Sequence, residues 1–181
     1  MDFPPSPWQL RGDLLLSLWR VGRWVVSTAF VDYQPGGVLN YRELLAARPV
    51  LAGPVPTVRI TEIWVDSEES CDGGRALWAI PKELADFTLE ADAWTAEVDG
   101  RPIASARFER GRSLPFRAPV RLRTSQPRGP DTVVAPVRGT ARVHRAAATW
   151  TIDADGPLGS LAGRRPFASV VLADFRLTFG R

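Results

Sequence analysis

Two stretches of the chain alternate their side chains with a period of two, and that rhythm constrains the fold more than any other feature. In residues 58–65, Val58, Ile60, Glu62 and Trp64 share one face, while Arg59, Thr61, Ile63 and Val65 share the other. Near the end, Val171, Ala173, Phe175, Leu177 and Phe179 alternate with Leu172, Asp174, Arg176 and Thr178. Period two is the signature of a strand, whose successive side chains point to opposite faces. Asp99-Gly100 between two further apolar stretches predicts a tight hairpin.

The other segments read as follows. Pro4, Pro5 and Pro7 extend the chain up to Trp8, and apolar runs follow at 14–19 and 24–30. Pro35-Gly36-Gly37 marks a turn. A short helix is expected over 41–47, with Pro49 just beyond it. The acidic, glycine-terminated stretch 66–74 reads as a loop, and 76–80 as a short apolar strand. Pro81 suits the first position of a helical turn over 82–86. Prolines at 115, 119, 127, 130 and 136 suggest short strands and loops. The expected fold is mainly β: a single antiparallel sheet curled into a barrel, with few short helices.

A chain of 181 residues with 45% hydrophobic content suits one domain over residues 1–181. Arg20 and Arg23 interrupt the apolar stretch 14–31, so it is not read as a membrane span. The first residues lack the basic-then-apolar pattern of a secretory signal. Cys71 is the only cysteine, which leaves no internal disulfide and no thiolate metal cluster. The expectation is a cytoplasmic protein with neither membrane nor nucleic acid as partner. Residues 101–128 do hold eight arginines against one acid, Glu109, but no nucleic-acid motif accompanies them, and a solvated sheet face accounts for them.

Lys82 is the only lysine among 23 basic residues. An arginine-biased composition could leave one lysine anywhere. Alternatively, arginine fills every place where charge suffices, and the lysine stands where a deprotonatable amine is required. A helix start and burial beside Trp78 and Ile80 would both lower its pKa. Glu62 in an apolar row is either at an exposed edge or buried for a purpose. His144, the only histidine, lies in a basic setting with no nearby Cys or Glu, and Gly73-Gly74-Arg75 lacks the spacing of a phosphate loop.

The stretch Gly74-Arg75-Ala76-Leu77-Trp78-Ala79-Ile80-Pro81-Lys82-Glu83-Leu84-Ala85 resembles the active-site segment of the acetoacetate decarboxylase family, which reads Gly-Arg-Glu-Leu, a spacer, then Pro-Lys-Lys. Ile60-Thr61-Glu62 resembles the family's Tyr-Thr-Glu strand. Pro7-Trp8 with its following apolar run, and Ser169-Val170-Val171-Leu172-Ala173-Asp174, extend the likeness along the chain. The resemblance implies that Lys82 forms an imine with a small oxo acid, that a β-carboxylate leaves as carbon dioxide, and that no metal or organic cofactor is required. It also implies a homo-oligomer. Glu62 would position the amine or exchange protons, approaching Lys82 across one interior cavity. Arg75 or Arg11 would hold the substrate carboxylate, and Trp64 and Trp78 would form apolar walls.

Acetoacetate decarboxylase is itself the standard example of a lysine activated by desolvation or a cationic neighbour. Here the neighbouring family lysine is Glu83, which is expected to point away from the cavity. Ala76 replaces the family glutamate, and Asp13 aligns with the N-terminal arginine, with Arg11 close by. The alternatives are an imine-dependent aldolase or dehydratase on a larger oxo acid, and a non-catalytic barrel binding a small acid.

Overall fold

The computed structural model describes residues 3–51 and 53–181. It is mainly β. Strands β1 (Trp8–Val21), β2 (Trp24–Tyr33), β3 (Tyr41–Val50) and β4 (Thr57–Val65) form an antiparallel meander. Helix α1 (Glu68–Trp78) follows, then short strands β5 (Lys82–Leu84), β6 (Asp86–Leu89) and β7 (Ala93–Val98). The long strands β8 (Arg101–Arg128) and β9 (Asp131–Ile152) form a two-stranded ribbon, and β10 (Ala168–Phe179) returns to pair with β1.

The neighbours run β4-β3-β2-β1-β10-β9-β8, and β8 pairs with β4 through Thr57–Arg123 and Val58–Thr124, so the sheet closes on itself. The rest of that β4 edge pairs in parallel with β5, placing Lys82 opposite Ile63. The distal part of β8 and β9 leaves the ring and carries β7 and β6.

Two hydrophobic layers result. One lies inside the ring and includes Trp8, Leu10, Ile60, Ile63 and Phe175. The other packs Leu15, Trp19, Phe30, Trp94, Phe108 and Trp150 outside it, against β7 and the ribbon. Strands β1 to β3 are therefore buried on both faces, which explains the continuous apolar runs at 14–19 and 24–30. Ser17, fully buried between the layers, accepts from Trp150 Nε1 at 2.9 Å.

Several local expectations give way. Residues 41–47 are strand rather than helix: Tyr41, Glu43, Leu45 and Ala47 all turn into the ring with period two, so tertiary pairing outweighs helix propensity. Stretch 66–74, read as a loop, and 76–80, read as a strand, mostly become α1. Ser67 caps the helix by accepting from Ser70 N, with Glu68 and Glu69 in its first turn and a left-handed Ala79 (φ 55°) at its end. Two mid-helix glycines hide it from propensity. Residues 82–84 form a strand, not a helical turn, because the edge of β4 is open to pair with them. Pro115, Pro119, Pro127 and Pro136 sit within long ribbon strands, with register shifts at Arg110/Ser113 and Ser113/Arg117, and Pro130 lies in the turn that joins the two strands. The Asp99-Gly100 hairpin is present, with φ of 50° and 72°. No helix among the described residues is long and apolar enough to cross a membrane.

Candidate active site

The ring encloses a cavity of about 330 Å³, walled largely by leucine, isoleucine, valine and aromatic side chains. Lys82 reaches into it from β5. Its side chain is only 4% exposed, and its Nζ donates to Glu43 Oε2 at 2.9 Å, Ser70 Oγ at 2.8 Å and Tyr41 OH at 3.3 Å. Those three acceptors use all three ammonium protons. Glu43, also 4% exposed, accepts from Tyr33 OH through its other oxygen at 3.2 Å. Tyr33 stacks on Tyr41 with ring centroids 4.3 Å apart.

Each member arrives from a different element. Tyr41 and Glu43 are neighbours on the inner face of β3. Tyr33 comes from the end of β2, Ser70 from the first turn of α1, and Lys82 from β5. Two glycines let the helix lie close. A Cβ on Gly74 would stand 2.8 Å from Lys82 Cδ and 2.9 Å from Cε, and one on Gly73 would stand 2.5 Å from a ring carbon of Trp8. Gly73-Gly74 therefore serves packing, and the lysine stem occupies the space of the missing methyl. Cys71 Sγ donates to the Lys82 carbonyl at 3.3 Å and fixes the start of β5.

The electrostatics follow from burial and the carboxylate. Burial alone pulls the Lys82 pKa down, but the charge of Glu43, with Tyr41 and the hydrogen bonds from both, outweighs it and holds the amine above the ordinary lysine value. Burial raises Tyr41, and the Glu43 charge adds to this while Lys82 opposes it. Tyr33 is raised well above the usual phenol range by burial and then by Glu43. At rest the site is an ammonium–carboxylate pair with two neutral phenols.

The residues singled out from the sequence divide. Lys82 and Trp78 face the cavity. Glu62 does not, which corrects the expected approach of Glu62 to Lys82. The pairs Ala46–Glu62 and Ala47–Ile60 leave Thr61 as an extra residue, a β-bulge that reverses the alternation of β4. Ile60 and Ile63 consequently share the inner face, while Glu62 and Trp64 turn outward together. Trp64 is buried in the outer layer and is no cavity wall. Glu62 is half-buried, its pKa raised by that burial and by nearby Glu83 against the pull of Arg48.

Arg75 lies on the outer side of α1 in a shallow depression with Glu83, and Glu83 is exposed, outside the cavity. Arg11 is also outside, 3.9 Å from Asp174 and packed on Gly36. Neither arginine reaches Lys82. His144 sits exposed on the ribbon with its ring 3.4 Å from the Gly111 carbonyl.

The sequence reading missed Glu43, Tyr41, Tyr33 and Ser70. For the first two a signal exists: taken as a strand, 41–47 puts a tyrosine and a glutamate on one face with Leu45 and Ala47. For Tyr33 and Ser70 there is none, because only the closure of the ring brings them to Lys82.

A sole, deeply buried lysine inside a closed β ring is one observation, and the family comparison is the other. The model described as "Acetoacetate decarboxylase (ADC)" matches residues 17–163. The chain belongs to the acetoacetate decarboxylase family. Its fold is similar to that of the enduracididine biosynthesis enzyme MppR complexed with pyruvate, at 17% identity and a TM-score of 0.73, over 99% of this chain and 91% of that one. Acetoacetate decarboxylase from Legionella pneumophila aligns at 16% identity and TM-score 0.69, over 99% and 86% of the two chains. An acetoacetate decarboxylase-like enzyme from Sphingomonas wittichii RW1 aligns at 15% and 0.63, over 96% and 90%. No curated protein sequence matches the chain.

Proposed function

We propose that this family member is a lysine-dependent lyase that decarboxylates a β-oxo acid through an imine on Lys82. The observation that carries the proposal is the position of Lys82 Nζ, buried at the polar head of an apolar cavity with Glu43 Oε2 at 2.9 Å.

The chemistry runs through that pair. Glu43 takes a proton from the Lys82 ammonium, which turns two buried charges into two neutral groups. A substrate that fills the cavity excludes water and favours this change, because the apolar interior penalises charge. The free amine attacks the ketone carbon, and Glu43 returns the proton to the carbinolamine oxygen, which leaves as water. The resulting iminium draws the electron pair of the breaking carbon–carbon bond, so the β-carboxylate departs as carbon dioxide and a neutral enamine remains. This step consumes an iminium and a carboxylate together, and an apolar surround favours losing both charges. Protonation of the enamine carbon and hydrolysis then restore Lys82. Ser70 and Tyr41 hold Nζ, and Tyr33 holds Glu43.

A second reading, an imine-dependent condensation or dehydration, has its own support. Glu43 can equally remove a proton from the carbon next to the iminium, and no arginine among the described residues lines the cavity to hold a carboxylate. MppR has been solved with the condensation product of pyruvate and imidazole 4-carboxaldehyde. Borohydride trapping across a panel of oxo acids, with peptide mapping, tests both readings: one label on Lys82 is expected. Carbon dioxide released in step with turnover selects decarboxylation. Absence of any label across the panel would leave a non-catalytic barrel.

A further inference from the structure

Four of the cavity's polar side chains, those of Lys82, Glu43, Tyr41 and Tyr33, are one hydrogen-bonded cluster at one end. The lining continues far from them. Ser27 and Tyr33, six residues apart on β2, both line it, and a strand covers about 20 Å over that distance. Val58 and Thr124, paired where β8 closes the ring, lie towards the Ser27 end, whereas Ile63, paired with Lys82, lies at the head. Between the ends the wall is built from side chains such as Leu16, Leu45, Ile60, Leu122, Leu172 and Leu177. Ser27 spends its hydroxyl on the Ala47 carbonyl, and the Thr124 hydroxyl at that end, without a partner among the described residues, is uncharged. A volume of about 330 Å³ over such a length makes the cavity narrow.

We infer that the substrate of this site carries an extended, unbranched apolar chain on the far side of its reacting carbonyl, and is not a compact polar oxo acid. The inference rests on Lys82 being the imine-forming amine. A compact acid would leave most of the leucine wall unfilled. A second carboxylate further along the chain would find no cation, since among the described residues Lys82 is the only one lining the cavity and is already engaged by Glu43. Binding selectivity therefore comes from burying methylenes, and each one buried strengthens binding about fourfold (~0.8 kcal/mol).

The probes are the 2-alkanones from 2-pentanone to 2-undecanone, the ketones that decarboxylation of the matching β-oxo acids releases. Calorimetric titration of the wild type should give one site per chain, with Kd falling about fourfold per methylene until the chain reaches the Ser27 end and then levelling off. Val58→Phe, which fills that far end, should move the levelling point to shorter ketones; the wild-type series decides alone if that variant does not fold. Trapping the same complexes with borohydride should place the label on Lys82 with the same chain-length dependence. A flat or inverted dependence, with Lys82 labelled, would overturn the chain inference and leave the imine reading standing. The full dependence without any label would support the apolar occupant and overturn Lys82 as the nucleophile.

Discussion

Replacing Glu43 by glutamine removes the anion beside Lys82 and leaves shape almost unchanged. The ammonium would then be buried with only neutral partners, Ser70 and Tyr41. Breaking a buried ion pair on one side typically costs about 3–5 kcal/mol. Here the cost has a ceiling, because the lysine can shed its proton instead. From a free-lysine pKa of about 10.4, deprotonation at pH 7 costs about 1.36 kcal/mol for each of 3.4 units, or about 4.6 kcal/mol. At pH 9 the same ceiling is about 2 kcal/mol.

The signs run in opposite directions for the two proteins. In the wild type Lys82 is raised above its unfolded value, so its contribution is fully present below about pH 10.4 and is lost as pH climbs through the folded value. In Glu43→Gln burial dominates, the folded value drops below the unfolded one, and stability rises with pH until about 10.4. Urea unfolding at pH 7 and pH 9 measures this directly. We expect Glu43→Gln to lose about 3–4.6 kcal/mol at pH 7 and no more than about 2 at pH 9. A loss below about 1 kcal/mol at pH 7, or one that does not shrink at pH 9, would refute the buried pair as the organising interaction.

Three further variants test the same geometry. Lys82→Met strands the Glu43 carboxylate and should cost about 3–3.7 kcal/mol at pH 7, the ceiling being protonation from a free-glutamate pKa of about 4.3, whereas Lys82→Met with Glu43→Leu removes both charges and should recover most of that loss; chemical denaturation of the single and double variants checks the coupling. Gly74→Ala places a methyl where Lys82 Cδ and Cε run, so borohydride labelling should fall at least tenfold; stability should change by less than about 2 kcal/mol, because overpacking is offset by better helix propensity, and unchanged labelling would show that the lysine stem moves aside freely.

How much of this was legible in the residues differs by element. The strand at 58–65 and the one ending at Phe179 announce themselves by alternation, and Asp99-Gly100 announces its turn. Alternation fails at the bulges, which no residue type advertises. Thr61 adds one residue to β4, and the shift between Ala173 and Arg176 in β10 puts Leu172 and Leu177 on the same wall although their parity differs. A one-residue slip reverses every side chain beyond it, so the candidate carboxylate went to the wrong face. Lys82 was visible from its uniqueness and its Pro-Lys setting. Its partner Glu43 was hidden because a stretch of leucine, alanine and glutamate favours helix locally, and only pairing with β2 and β4 draws it out as a strand.

The exchange of one charge for another then bears on how the proposed imine chemistry would activate Lys82. A lysine beside a second lysine becomes neutral because its own pKa falls. Here the position after Lys82 is Glu83, which faces away, and the charge that meets Nζ is the carboxylate of Glu43. The proposed reaction would therefore make its free amine by proton transfer within the pair. The ion-paired form depends on the hydrogen bonds from Nζ to Ser70 and Tyr41 and from Tyr33 to Glu43, and a carbonyl that reaches Nζ has to displace one of them. The Tyr41 bond, at 3.3 Å, is the longest at Nζ and the least costly to give up. Losing it weakens the ammonium while the same ligand drives out water, and both effects favour the neutral pair. In the proposed imine chemistry, activation is therefore tied to occupancy: a ligand long enough to fill the apolar wall would also be the one that frees the Lys82 amine.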